Sequence, residues 1–128
     1  MADLPWTARQ ELRLGEHYVV MASHLPLKRL SATFRFFRGV MAVRRQLASA
    51  SGLVGYSLRA RIGAKRYWTL SVWADEASLR EFMRAPPHVD LMTALHPVIG
   101  RTRFVQWTIT SEDGLPTWSA PTRRLETN

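Results

Sequence analysis

The sequence predicts a single α+β domain with the element order β-α-β-β-α-β, its helices packed on a four-stranded antiparallel sheet. Three observations carry this. Residues 53–62 and 66–73 alternate in character and are joined by the short Gly63-Ala64-Lys65 connection, as in a hairpin. Two stretches have apolar residues at helical spacing, one before the hairpin and one after it. A further alternating stretch stands near each end, at residues 17–25 and 101–110.

Residues 1–16 form an N-terminal arm, and HYVVMASHL is a Val-rich strand bounded by Pro26. Ser31 is positioned to cap a helix over residues 32–50, where Phe36, Val40, Val43 and Leu47 make one stripe and Gly52 supplies the stop. In the hairpin, Val54, Tyr56 and Leu58 share one parity and Gly55, Ser57 and Arg59 the other. In its second strand Trp68, Leu70 and Val72 oppose Tyr67, Thr69, Ser71 and Trp73. Asp75 caps the next helix, with Leu79, Phe82 and Met83 as its buried stripe, and Pro86-Pro87 ends it. A short helix over residues 87–95 follows, since Pro is tolerated in a first turn. The last strand sets Val105, Trp107 and Ile109 against Phe104, Gln106 and Thr108. Residues 17–110 are thus the domain, in the ferredoxin-like arrangement, and the Pro/Thr/Ser-rich residues 111–128 an extended tail on which Trp118 is an anchor.

Composition bounds the rest. A chain of 128 residues has room for one core. The absence of Cys excludes disulfides, thiolate metal sites and cysteine nucleophiles, and fits a cytoplasmic, reducing location. The first residues lack a signal-peptide pattern, and no apolar run is long enough to span a membrane. The net charge of +8 points to a polyanion or an acidic ligand. The basic residues are scattered and no nucleic-acid motif accompanies them, so nucleic acid is not the expected partner. A basic interaction module remains the alternative that charge alone supports.

Both helices are expected on the sheet face carrying Val54/Tyr56/Leu58, Trp68/Leu70/Val72 and Val105/Trp107/Ile109. The opposite face, with Ser57, Arg59, Tyr67, Thr69, Ser71, Trp73, Phe104 and Gln106, is too aromatic for water and too polar for dry packing. Two such sheets closing face to face around a cavity resolve this, which predicts a homodimeric α/β barrel with the tail reaching toward the partner. His24 joins the cavity residues with its face undetermined. His88, at a helix start behind Pro86-Pro87, is expected to look into the same space, kept neutral by the helix dipole and able to ligate a metal or accept a proton. Arg59 is the expected clamp for a carboxylate. A non-haem metal site has no three converging ligands in the pattern, and no phosphate loop or serine-nucleophile motif is present.

The stretch SVWADEASLREFMRAPPHVDLM, residues 71–92, resembles the strand–turn–helix of the dimeric α/β-barrel, antibiotic-biosynthesis monooxygenase-like superfamily. SASGLVGYSLRA resembles its second strand, and the Trp-Ala-Asp-Glu-Ala run with Leu115-Pro116 and Trp118 is most similar to the spheroidene monooxygenase-like branch. The resemblance implies an oxygenase acting on an apolar or aromatic small molecule. In a haem-dependent version His88 would ligate the iron, Arg59 would hold a propionate, and Phe82 would stand where haem-degrading relatives carry a Trp. In a cofactor-free version Trp73 and Tyr67 would orient a phenolic substrate. No Asn matches the one such relatives use, because the chain's only Asn is Asn128. Isomerase or lyase chemistry on the same fold, and a non-catalytic haem or small-molecule carrier, stay open.

Overall fold

The computed structural model describes residues 2–3, 6–118, 121 and 123–125. Parts of the expected arm and tail, including Asn128, lie outside the described residues. The strands are β1 (Ala2–Asp3), β2 (Thr7–Ala8), β3 (His17–Pro26), β4 (Leu53–Arg61), β5 (Arg66–Trp73) and β6 (Arg103–Thr110). The helices are α1 (Thr33–Ala48), α2 (Glu76–Arg84) and α3 (His88–Leu95). The four long strands run β4-β5-β3-β6, all antiparallel, and β1 and β2 pair with the outer edge of β4. This is the ferredoxin-like order, and the sheet is open.

Local chemistry explains the joints. Asp75 accepts from the backbone N–H of Ser78 at 2.7 Å, the expected cap of α2, and this hydrogen bond lowers the Asp75 pKa. Ser31 makes no such cap. The chain enters α1 through a 3-10 turn, Leu30–Ala32, whose last residue takes the N-cap position with no side-chain bond. Gly52, at φ +79°, turns the chain out of α1 into β4 in a conformation other residues rarely adopt. The hairpin pairs Arg61 with Arg66 across a 3-10 turn, and Lys65 takes the left-handed conformation there.

The face assignment departs from expectation. On β5 the helices cover Tyr67, Thr69, Ser71 and Trp73, because Leu25, Phe36, Ala60, Tyr67 and Leu95 form one cluster and Leu47, Leu53, Trp73 and Leu79 another. The apolar set Val20, Ala22, Val54, Leu70, Val72 and Ile109 lies on the other face, packed by Trp6 and Leu12 of the N-terminal arm and Trp118 and Leu125 of the tail. Two physical facts explain the reversal. The hydroxyls on the helix side bond one another, Ser23 with Thr69, and Ser71 accepts from Trp73 Nε1 at 2.9 Å, so they are tolerated under helices. A register shift between Leu53 and Gly55 moves Val54 to the opposite face from Tyr56 and Leu58. The tail is not simply extended: Pro121 and residues 123–125 are helical.

Candidate active site

Helices α1, α2 and α3 and the helix-side face of the sheet enclose a cavity of about 190 Å³. Its walls are mainly apolar: Phe36, Val40 and Leu47 from α1, Leu79 and Phe82 from α2, Leu91 and Leu95 from α3. Ser23, Thr69, Ser71, Tyr56, Arg44 and His88 bring the polar groups. Phe104 on edge strand β6 borders the cavity and is 43% exposed, so the rim lies there.

His88 opens α3 and is held from three sides. Its backbone N–H donates to Gln46 Oε1 at 3.0 Å, and its ring packs on Phe82 with centroids 4.9 Å apart. Its Nδ1 lies 3.2 Å from the Met83 carbonyl oxygen. A carbonyl only accepts, so this contact assigns the proton of the neutral ring to Nδ1 and leaves the lone pair on Nε2. Burial pushes the His88 pKa below its usual 6.5, partly opposed by the Met83 hydrogen bond. At neutral pH the group is a base.

Gln46, absent from the sequence-based expectations, organises this corner. Its amide nitrogen donates to the Phe82 carbonyl at 3.0 Å and reaches the Ala85 carbonyl at 3.5 Å, while its oxygen takes the His88 N–H. One side chain on α1 therefore fixes the turn from α2 to α3. A Gln in the middle of a helical stripe carries no pattern that distinguishes it from a solvated residue. Arg44 was likewise one of the scattered basic residues. Its position one residue after Val43 and three before Leu47, inside the apolar stripe, was the available signal.

The other expected residues divide. Phe82, Thr69, Ser71 and Phe104 line the cavity with His88. Tyr67 and Trp73 are fully buried beside it as packing: Tyr67 stacks on Phe36 at 4.3 Å and donates to Thr33 Oγ1 at 3.3 Å, and Trp73 stacks on Phe82 at 5.2 Å. Gln106 shares their face by register with Met21 but is exposed and outside the lining. Ser57 borders the cavity, yet its hydroxyl accepts from Trp118 Nε1 at 3.3 Å on the far side of the sheet. Arg59 and His24 stand on that far side too. Strand register aligns Arg59, Trp68, His24 and Arg103 in one row across β4, β5, β3 and β6. There Arg59 lies over the Trp118 ring at 5.0 Å and His24 packs on Trp68 at 5.1 Å. His24 Nε2 is buried with no hydrogen-bond partner among the described residues. Burial first, then the charges of Arg66 and Arg103, lower its pKa. Arg59 and His24, expected to share a cavity with His88, therefore stand across the sheet from the cavity that His88 lines, which lies between sheet and helices.

Haem does not fit these residues. The cavity is smaller than the roughly 300–1,000 Å³ of drug-sized ligand sites, and the expected propionate clamp, Arg59, is across the sheet from His88. Among the described residues no group of three His, Asp or Glu converges as a metal site, and no helix is long and apolar enough to cross a membrane.

No protein-family model matches the sequence, and no curated protein matches it. Solved structures do match the fold. SnoaB of Streptomyces nogalater, a cofactor-independent oxygenase, aligns at 21% identity over 78% of this chain and 98% of its own, with TM-score 0.57. The fold is one this chain shares with solved structures provisionally named as antibiotic biosynthesis monooxygenases. A protein of Caulobacter crescentus CB15 provisionally named an antibiotic biosynthesis monooxygenase aligns at 15% identity, 72% and 89% coverage and TM-score 0.63. A dimeric ferredoxin-like protein of unknown function from Thermobifida fusca aligns at 13% identity, 79% and 99% coverage and TM-score 0.64. These likenesses establish the fold and do not single out the spheroidene branch.

Proposed function

We propose that this protein is a cofactor-independent oxygenase acting on a small electron-rich phenol or enol held in the helix–sheet cavity. The observation that carries the reading is His88: a half-buried neutral imidazole with Nδ1 committed to the Met83 carbonyl and Nε2 left as acceptor, at the wall of an apolar cavity. The likeness to a structure named as a cofactor-independent oxygenase supports it.

The chemistry follows from that group. Nε2 takes a proton from an acidic O–H or activated C–H of the substrate. The resulting anion transfers one electron to dioxygen, and the radical pair combines to form a C–O bond and a peroxide. Protonated His88 returns its proton to the peroxide. Loss of water from the hydroperoxide, cleaving O–O and the remaining C–H, leaves a carbonyl. One dioxygen thus gives one new carbonyl oxygen and one water. Apolar walls exclude water from the anion, so its charge is stabilised by placed groups and not by solvent.

A second copy packing on the face that bears Trp68, Trp107 and Trp118 belongs to the same reading, supported by the neighbour named as dimeric. Sedimentation velocity at micromolar concentration tests it, with a monomer as the contrary result.

The test of the function is oxygen uptake by chelator-treated protein with a panel of naphthols and anthrones. Uptake matched one to one by quinone product supports the proposal. No uptake, with deuterium exchange into the same substrates from heavy water, would instead assign proton-transfer chemistry of the isomerase or lyase kind. Tight binding with neither would leave a carrier.

A further inference from the structure

We propose that the cavity selects a small aromatic or alicyclic anion, a carboxylate or acidic enol, with Arg44 as the specificity-determining residue and Tyr56 beside it. The inference rests on the cavity being the ligand site, and it assigns the ligand's charge, which the oxygenase reading leaves open.

Arg44 is the one permanently charged side chain among the described residues of the lining, and no Asp or Glu shares the wall. It sits on the same face of α1 as Val40 and Leu47, half-buried, and its Nε donates to the Tyr56 hydroxyl oxygen at 3.4 Å. No ion pair to Arg44 is present among the described residues. A partly desolvated guanidinium without a counter-charge is costly, and a bound anion would supply it.

The geometry suits one oxygen-bearing group. Accepting from Arg44 leaves the Tyr56 O–H free to donate, so guanidinium and phenol donors stand side by side. Tyr56 pairs with Ser71, and Ser71 with Met21, which places the phenol on the cavity floor at the same level as the Ser71 hydroxyl. The apolar walls at Phe36, Leu79, Leu91 and Phe104 take the ring of the ligand. A cavity of about 190 Å³ limits that ligand to one or two fused rings with its charge at one end. The carboxylate clamp expected at Arg59 is thus supplied by a different arginine, on a helix.

Calorimetric titration with 2-naphthoate and with the uncharged, similarly shaped 2-naphthamide tests this. A charge-assisted hydrogen bond predicts that wild type prefers the anion by about tenfold or more. Arg44→Gln should erase the preference without weakening naphthamide, Arg44→Lys should keep part of it, and Tyr56→Phe should reduce it. Equal affinities in wild type, an unchanged preference in Arg44→Gln, or no binding of naphthoate at millimolar concentration would each overturn the proposal. If Arg44→Gln does not fold, Arg44→Lys and Tyr56→Phe decide: a preference unchanged in both overturns it. The outcome is separable from turnover. Anion preference without oxygen uptake counts against the oxygenase reading only, and uptake of neutral phenols without anion preference counts against the Arg44 assignment only.

Discussion

Replacing Gln46 by Met is expected to loosen the corner that positions His88. The substitution keeps the length and packing volume of the side chain and removes its hydrogen bonds. Two of these are 3.0 Å long, from His88 N–H to the amide oxygen and from the amide nitrogen to the Phe82 carbonyl; the third, to Ala85, is longer at 3.5 Å. The Phe82 carbonyl retains the Ala85 N–H, whereas the His88 N–H loses its acceptor. At about 1 kcal/mol for each good hydrogen bond the loss is about 2 kcal/mol. For a domain of this size that lowers Tm by roughly 8 °C. Thermal unfolding followed by circular dichroism measures it. Hydrogen exchange should show the His88 amide losing its protection. Because misplacing a reacting group by about 1 Å can cost on the order of 100-fold in rate, turnover should fall by more than stability explains. A Gln46→Met variant with wild-type Tm and His88 amide protection would refute the reasoning. Gln46→Glu separates acceptor from donor: it can still take the His88 N–H but cannot donate to Phe82, so it should not restore stability.

Three further outcomes follow. Gly39→Ala places a methyl against Leu91, whose side chain lines the cavity. The gain in helix propensity of about 1 kcal/mol is set against an overpacking cost of about 1–3 kcal/mol, so chemical denaturation should show a net loss of roughly 0–2 kcal/mol with weaker binding of two-ring ligands. His24 and His88 both titrate below 6.5 in the folded chain and at about 6.5 when unfolded. The unfolded state therefore binds more protons just below that pH, so stability is full above 6.5 and falls on acidification through the folded values. Urea midpoints measured from pH 8 to pH 5 should decline in that sense, and a flat profile would contradict the burial of these rings. Haemin added to the protein should give no Soret shift that depends on His88, compared with His88→Ala.

Much of the fold was legible because strand and helix periods differ and because caps and breakers are local. Asp75 three residues before Ser78, Gly52 after the helix, and the Gly63-Ala64-Lys65 connection each act within a few residues. What the sequence concealed depends on long-range partners. Which face of β5 meets the helices cannot be read from its alternation, because Thr69 and Ser71 are acceptable under helices only once Ser23 and Trp73 bond them. The more apolar face is covered by Trp6 and Trp118, from opposite ends of the chain. The site shows the same division. His88 stood out as a lone histidine behind Pro86-Pro87, whereas Gln46 and Arg44 matter through contacts with residues 42 and 12 positions away.

The most direct test of the account is the rate of oxygen uptake by His88→Gln with the best phenolic substrate, compared with wild type under chelation. Removing a general base should lower kcat by on the order of 100-fold or more while ligand binding and Tm stay close to wild type. It should also abolish the rise of wild-type activity with pH through the depressed His88 pKa. A His88→Gln variant that consumes oxygen at the wild-type rate, with the same pH profile, would contradict the assignment of His88 as the base.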